Sequence, residues 1–337
     1  MKFCAIGLGR MGRRHLQVAR NLELEIVGIY DPMLASIKLA REEYELPETL
    51  VFSSAKEMLE KMRPEALVVS STATSHCEYV CMAAQAGVKY ILCEKPMAVS
   101  LAECDRMIEA CKQSGSILAV NHQMQFMEQY TVVKNLVNSP EFGGLRSVTV
   151  TASNFGLAMN GAHYFEMFRY MTDESISKVS CWTDSAKVPN PRGTQYEDRS
   201  GQLRAVSASG IRLHMEIGGD LGHGIQVIYS CRLGQILVDE LSGHLRYIHR
   251  QSEFAALPTT RYGMPAVTEV RQIAPADVIK PTQDVWQAMF ENRSFPDGAC
   301  GRHAVAVLVA ANISGEADGK QIELVRELPV DRVFPWA

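Results

Sequence analysis

Six residues near the start of this 337-residue chain have the spacing of a phosphate cradle: Gly7-Leu8-Gly9-Arg10-Met11-Gly12. The run Lys2-Phe3-Cys4-Ala5-Ile6 before it has the length of a buried strand, and a helical period follows it through Leu16 and Ala19. Each glycine has a separate task in such a turn. Gly7 permits the tight bend, Gly9 lets a pyrophosphate approach the backbone, and Gly12 lets helix and strand pack closely. Free N–H groups and the positive end of the helix dipole then face the phosphates, which makes Leu8, Arg10 and Met11 candidate contacts as well. Asp31 ends the next strand, at the position where a carboxylate accepts hydrogen bonds from the ribose hydroxyls and repels a 2′-phosphate. That favours NAD, with NADP less suited. Two alternatives fit the same residues: a plain glycine turn with Asp31 capping a helix before Pro32, and the Gly-rich loop of an S-adenosylmethionine-dependent methyltransferase.

Ligands on a sheet of this kind sit outside the carboxyl ends of the strands. Two further segments reach that edge. One is Ser70-Ser71-Thr72-Ala73-Thr74-Ser75-His76, after the apolar run 66–70, and the other is Glu94-Lys95-Pro96, after Tyr90-Ile91-Leu92-Cys93. Ser71, Thr72, His76, Glu94 and Lys95 are therefore candidate cofactor contacts. A solvated loop is the other reading of Glu94-Lys95.

The elements that must position these residues follow from the apolar pattern. Strands are expected at 2–6, 24–30, 51–52, 66–70, 90–93 and 117–120, with helices at about 10–21, 34–43, 55–62, 76–86 and a further one through Leu101–Cys111. Six apolar, non-alternating strands interleaved with helices predict a doubly wound parallel sheet covered on both faces. Beyond residue 121 the pattern changes. A helix near 126–137, a strand from Ser147 to Ala152 and a helix at about 162–171 precede consecutive strands at roughly 203–208, 211–217, 224–231, 235–240 and 244–249. Two late helices, at about 281–291 and 301–313, complete the pattern. The predicted fold is α/β: an NAD(P)-binding Rossmann domain over 1–121, then an α+β domain over 122–337 with a large, mostly antiparallel sheet for substrate binding and oligomerisation.

The sequence resembles the glucose–fructose oxidoreductase/inositol dehydrogenase (Gfo/Idh/MocA) family. The resemblance rests on Ala5-Ile6-Gly7-Leu8-Gly9 to Gly12, Thr74-Ser75-His76, Ala86-Gly87-Val88 through Cys93-Glu94-Lys95-Pro96, and Gly161-Ala162-His163-Tyr164-Phe165-Glu166. It implies that Lys95 lies near the reacting carbinol and the nicotinamide, that His163 is a general acid/base, and that the Lys95–Pro96 peptide is cis. The chemistry agrees with these roles. The cofactor takes the hydride, a base takes the hydroxyl proton, and a cation stabilises the developing alkoxide. Two departures stand out. Met159 occupies the place where many members carry an Asp four residues before the histidine, with Asn160 beside it as a candidate substrate contact. Gln125 replaces the usual Arg before Phe126 and is a second candidate substrate contact.

The resemblance implies an NAD(P)-dependent oxidoreductase acting on CH–OH groups of a polyhydroxylated small molecule: a sugar, cyclitol, sugar acid or nucleotide sugar. A homodimer or homotetramer is expected. The alternatives are a non-enzymatic NAD(H) sensor, a glycosidase-like enzyme with bound NAD, and a bilin reductase on the same scaffold. The totals agree with a small soluble substrate: a net charge of −4 with 34 basic and 38 acidic residues gives no surface for nucleic acid or a membrane. No apolar run reaches the ~18 residues of a membrane span, and the start of the chain does not read as a signal peptide. Nine scattered cysteines read as small buried hydrophobes in a reducing cytoplasm. Cys77 and Cys81 are the one spacing that suggests a metal pair; with no partner pair elsewhere, no metal site is expected. Glu197-Asp198-Arg199 and Asp173-Glu174 read as solvated charge clusters. Asn154, Tyr164 and His244 are weaker candidates for facing substrate.

Overall fold

The computed structural model describes residues 1–153, 156–185, 190–258, 265–325 and 328–337; Asn154 lies outside them. The N-terminal sheet contains β1 (Lys2–Ile6), β2 (Glu25–Tyr30), β3 (Ala66–Val69), β4 (Tyr90–Cys93) and β5 (Ile117–Val120), all parallel in the order β2-β1-β3-β4-β5. Five helices alternate with them: α1 (Arg10–Asn21), α2 (Leu34–Tyr44), α3 (Ala55–Met62), α4 (Ala73–Gln85) and α5 (Leu101–Ser114). The expected sixth strand, at 51–52, is reduced to a single parallel bridge between Ile29 and Val51. It stands beside β2, where the doubly wound order puts it.

Alternate residues of each strand point to opposite faces, and here both sets are apolar. Phe3, Ala5, Val68 and Leu92 face one core while Cys4, Ile6, Val69 and Cys93 face the other, all of them 0% exposed. That is why these strands read as unbroken apolar runs. Helix α4 begins at Ala73, three residues before the expected start. Ser75 Oγ donates to the Thr72 carbonyl and to Ser71 Oγ, so the polar run serves as a helix start.

The second sheet has nine strands: β6 (Leu145–Ser153), β7 (Ile176–Thr183), β8 (Gly201–Ser207), β9 (Arg212–Gly218), β10 (Gln226–Cys231), β11 (Gly234–Asp239), β12 (His244–Arg250), β13 (Ala266–Gln272) and β14 (Ile322–Glu323). Their order is β13-β12-β11-β10-β6-β9-β8-β7-β14, and only the β6–β9 pair is parallel. Strands β7, β13 and β14 were not anticipated. Helices α6 (Glu128–Val137), α7 (Ala162–Thr172) and α9 (Gly298–Glu316) belong to this half, and Val148, Val150, Leu213, Met215 and Val227 share one continuous core with α7 and α9. Helix α8 (Ile279–Phe290) returns to the N-terminal sheet, where Val285, Trp286 and Met289 bury against Phe3, Leu16 and Leu92. A division by sequence at residue 121 thus separates the strands but not every helix.

Candidate functional site

The glycine turn carries out its three tasks at separate positions. Gly7 has φ +87°, and a Cβ there would lie 2.3 Å from the Ser71 amide nitrogen. A Cβ on Gly12 would lie 1.9 Å from the Gly7 carbonyl oxygen, while one on Gly9 would meet nothing within 4 Å. Gly9 is the exposed residue that starts α1, so the open space lies at the helix N-terminus. Asp31 closes the turn from the side: the Leu8 amide donates to Oδ2 at 2.6 Å and the Met33 amide to Oδ1 at 2.7 Å. The Leu8 side chain is buried in the core with Leu16, so only its backbone belongs to the turn. Arg10 is exposed and Met11 half-buried at the rim. Backbone donors, an open Gly9 and an acidic strand end together fit the diphosphate and ribose of a dinucleotide.

The Glu94-Lys95-Pro96 segment is locked in place from below. Glu94 is 4% exposed. It accepts from His15 Nε2 of α1 at 2.8 Å, from Asn121 Nδ2 at 2.9 Å and from the Lys95 amide at 3.2 Å. Burial pushes this carboxyl up, but His15, Lys95 and Asn121 more than reverse that and hold it below the usual carboxylate range. On the other side the His76 ring lies between carbonyls, with Nδ1 3.1 Å from that of Pro96 and Nε2 3.1 Å from that of Ser71. Both Glu94 and His76, expected at the cofactor, therefore turn their polar atoms inward. The reason is that each is almost fully buried and must find partners within the protein. The Lys95–Pro96 peptide is cis.

Between these supports Lys95 is half-buried, and its Nζ donates to the Met159 carbonyl. Burial, together with the charge of Arg192, lowers its pKa, while Glu94 and Asp198 raise it; the balance falls at about 8. Beside it, the rings of His163 and His122 meet edge to face, 5.6 Å between centroids at 89°. Burial first, and then the Lys95 charge, hold both imidazoles neutral: His122 falls to about 3 and His163 well below its ordinary value. Among the described residues neither Nδ1 has a hydrogen-bond partner. Asn160 and Gln125 are half-buried nearby in sequence, in the turn Leu157–Gly161 and the turn Gln123–Phe126. Ser71 and Thr72 line the start of α4, and Tyr196 from the second half donates to Thr72 Oγ1 at 3.5 Å.

Two residues of this cluster were missed. His122 follows two residues after β5, and no local pattern sets it apart. Asp198 was read as part of a solvated cluster, and the structure corrects that: it is 3% exposed and accepts from the Ala158 and Met159 amides at 2.8 and 2.7 Å. Its carboxyl is raised to about 6, because burial outweighs those two bonds and the charges of Lys95 and Arg192. The structure does agree with the other cluster: Asp173, 76% exposed in its side chain, pairs with Lys134 at the surface. Tyr164 is buried, donating to Glu240 Oε2 at 2.7 Å, and His244 is exposed at the start of β12.

Residues 1–122 match the model of the GFO_IDH_MocA oxidoreductase family, described as an NAD-binding Rossmann fold. Over this N-terminal third the chain is similar to the Gfo/Idh/MocA oxidoreductases. Among curated relatives, a myo-inositol 2-dehydrogenase of Thermotoga maritima is 29% identical over 198 residues, covering 53% of this chain and 57% of that protein. The chain spans less than two thirds of the length of the first such relatives. Solved structures extend the likeness of fold, and of fold alone, to nearly the whole chain. An oxidoreductase of Agrobacterium radiobacter, in complex with NAD+, L-tartaric acid and magnesium, has a TM-score of 0.78 at 16% identity, covering 96% of this chain and 98% of that one. An aldose-aldose oxidoreductase of Caulobacter crescentus, complexed with glycerol, has a TM-score of 0.75 at 19% identity, covering 96% and 99%. Among the described residues no helix is long and apolar enough to cross a membrane, and no group of three or more His, Cys, Asp or Glu is placed to hold a metal ion.

Proposed function

We propose that this protein is an NAD-preferring dehydrogenase, or a reductase in the reverse direction, for a secondary alcohol of a sugar, cyclitol, sugar acid or nucleotide sugar. The observation that carries the reading is the pairing of Lys95, poised near neutrality, with the neutral His163 at the carboxyl edge of the N-terminal sheet. When bound, the nicotinamide supplies the hydride acceptor or donor. Gly7, Gly9, Gly12 and the start of α1 hold its diphosphate, with the Leu8, Arg10 and Met11 backbone beside it. Asp31, with Ser71 and Thr72 at the neighbouring helix start, takes the ribose side, and its carboxylate disfavours a 2′-phosphate. His76 and Glu94 support the loop from within.

Proton affinity divides the remaining work. A base is most effective with a pKa near the working pH. Lys95 at about 8 meets that condition, whereas His163 is held far below it. The neutral amine of Lys95 takes the hydroxyl proton as the hydride leaves, and the ammonium returns it in reduction. Neutral His163 then holds and orients the hydroxyl, with Asn160 and Gln125 as further substrate contacts. Self-association into a dimer or tetramer and a cytoplasmic location belong to the same proposal.

The test is NADH formation by the purified protein with NAD or NADP across inositols, aldoses, sugar acids and nucleotide sugars. One class turns over, better with NAD, and kcat/KM for oxidation rises through about pH 8. Lys95→Met lowers it by ~10²- to 10⁴-fold, the usual loss on removing a positioned base. Measurable NAD binding with no turnover in any class, or full activity in Lys95→Met, overturns the reading.

A further inference from the structure

Asp198 has no place in the chemistry described so far, yet it occupies a seat built for it. It lies in the connection between β7 and β8, and its two carboxylate oxygens accept the amides of Ala158 and Met159, 40 and 39 residues away in sequence. Those amides open the π-helical turn Leu157–Gly161, which runs directly into α7 and His163. The carbonyl of the same Met159 receives Lys95 Nζ. Gly156 leaves room for the carboxylate: a Cβ there would lie 2.0 Å from Asp198 Cγ and 2.3 Å from each oxygen. The backbone of Gly156 is extended at φ −95°, so the missing Cβ answers a demand for space and not for conformation.

We propose that Asp198 is the positioning residue of the active site: its carboxylate grips the Met159 amide so that the Met159 carbonyl, accepting from Lys95 Nζ, holds that nitrogen against the reacting hydroxyl. Position 159 itself is a methionine and brings no charge of its own. Here the carboxylate reaches the backbone of that position from the β7–β8 connection. It makes no hydrogen bond to His163, so it acts through Lys95. The charges facing Lys95 are Glu94 and Asp198, which favour its ammonium, and Arg192, which opposes it; the neutral His122 and His163 complete the surroundings. Removing the Asp198 charge therefore lowers the Lys95 pKa, and losing the Met159 carbonyl as acceptor moves it the same way.

The catalytic consequence rests on the dehydrogenase reading, so the experiment has a readout independent of turnover. Lys95 in the full-length protein is labelled with an amine-reactive acylating reagent over a range of pH and followed by mass spectrometry, with the exposed Lys280 as an internal control. In the wild type the Lys95 labelling curve has its half-point near pH 8. In Asp198→Asn that curve shifts to lower pH while Lys280 is unmoved, and Asp198→Glu restores part of the shift. Gly156→Ala, which drives a methyl into the carboxylate without touching its charge, displaces the grip and shifts the curve in the same direction. With an active substrate, Asp198→Asn lowers kcat by ~10- to 100-fold with little change in KM, the scale of a small misplacement of a reacting group. A Lys95 curve that stays at its wild-type position in cooperatively folded Asp198→Asn or Gly156→Ala overturns the proposal. A shifted curve in a protein that oxidises no alcohol leaves the proposal standing and overturns the dehydrogenase reading alone.

Discussion

The His15–Glu94 contact gives the sharpest test of how the Lys95 loop is held. Both side chains are buried, at 1% and 5% exposure, and the bond is 2.8 Å long. Hydrogen bonds to a charged group contribute ~1.5–3 kcal/mol, and removing one partner of a buried pair costs ~3–5 kcal/mol because the other stays desolvated. Asn121 and the Lys95 amide remain on Glu94 when His15 is gone, so the lower end of that range applies to His15→Ala, about 3 kcal/mol. For a chain of 337 residues, with an unfolding entropy of ~2 cal/mol/K per residue, this lowers the midpoint of one cooperative transition by ~4 °C. Calorimetry on wild type, His15→Ala, Glu94→Gln and the double variant closes the cycle. The double variant should be less damaged than the two singles together, by at least ~1.5 kcal/mol, because each single variant already removes the same bond. The pH dependence has a fixed sign. Glu94 is held below its ordinary 4.5, so its contribution is complete above that pH and is lost as pH falls below it. A coupling energy under ~0.5 kcal/mol would refute the idea that this pair anchors the loop.

Gly9 and Gly12 should separate binding from folding. Gly9→Ala meets nothing within 4 Å and leaves the melting temperature within ~1 °C, while NADH affinity by fluorescence titration falls at least ~10-fold because the methyl occupies the diphosphate approach. Gly12→Ala places a Cβ 1.9 Å from the Gly7 carbonyl, so it loses both stability and NADH binding; equal behaviour of the two variants contradicts the assignment. His122 takes up a proton near pH 6.5 when unfolded but only near 3 when folded. Its neutral form thus stabilises the fold fully above pH 6.5, and this is lost by ~1.4 kcal/mol per pH unit as pH falls from there towards 3. Chemical denaturation of His122→Phe should show that much less acid slope, and an unchanged slope rejects the buried neutral imidazole.

The N-terminal half was legible because every strand buries both faces. Cys4 and Ile6 pack to one side, Phe3 and Ala5 to the other, so composition alone marks the strand. The exception is Val51, where one bridge to Ile29 replaces a strand and two apolar residues could not reveal how little pairing they make. In the second half the signal weakens wherever one face meets solvent. Strand β13 is exposed at nearly every position and Val270 is 71% exposed, so its residues are set by pairing with β12 and carry no apolar period. Strand β7 alternates Ile176, Val179 and Cys181 inward with Lys178 and Trp182 outward, an alternation interrupted by the bulge between Ile176 and Lys178. The parallel β6–β9 pair could not be read locally, since three other elements lie between those strands in sequence.

The candidate site divides along the same physical line. Gly7, Gly9, Gly12, Asp31 and Lys95 announce themselves because their work is local: a turn, a strand end, the residue before a proline. His76 and Glu94 were found by the same local signal, but their partners, Ser71, Pro96, His15 and Asn121, come from several elements. Whether such a side chain faces a ligand or the protein is decided by that packing and not by its neighbours in sequence. Asp198 is the extreme case. Flanked by Glu197 and Arg199, it looks solvated, and what buries it is a glycine at 156 and two amides some 40 residues away. The Met159 backbone is held by a carboxylate from another segment, and nothing in the residues around position 159 reveals it. A substitution at that position therefore says little about the charge of such a site until the residues that hold its backbone are known.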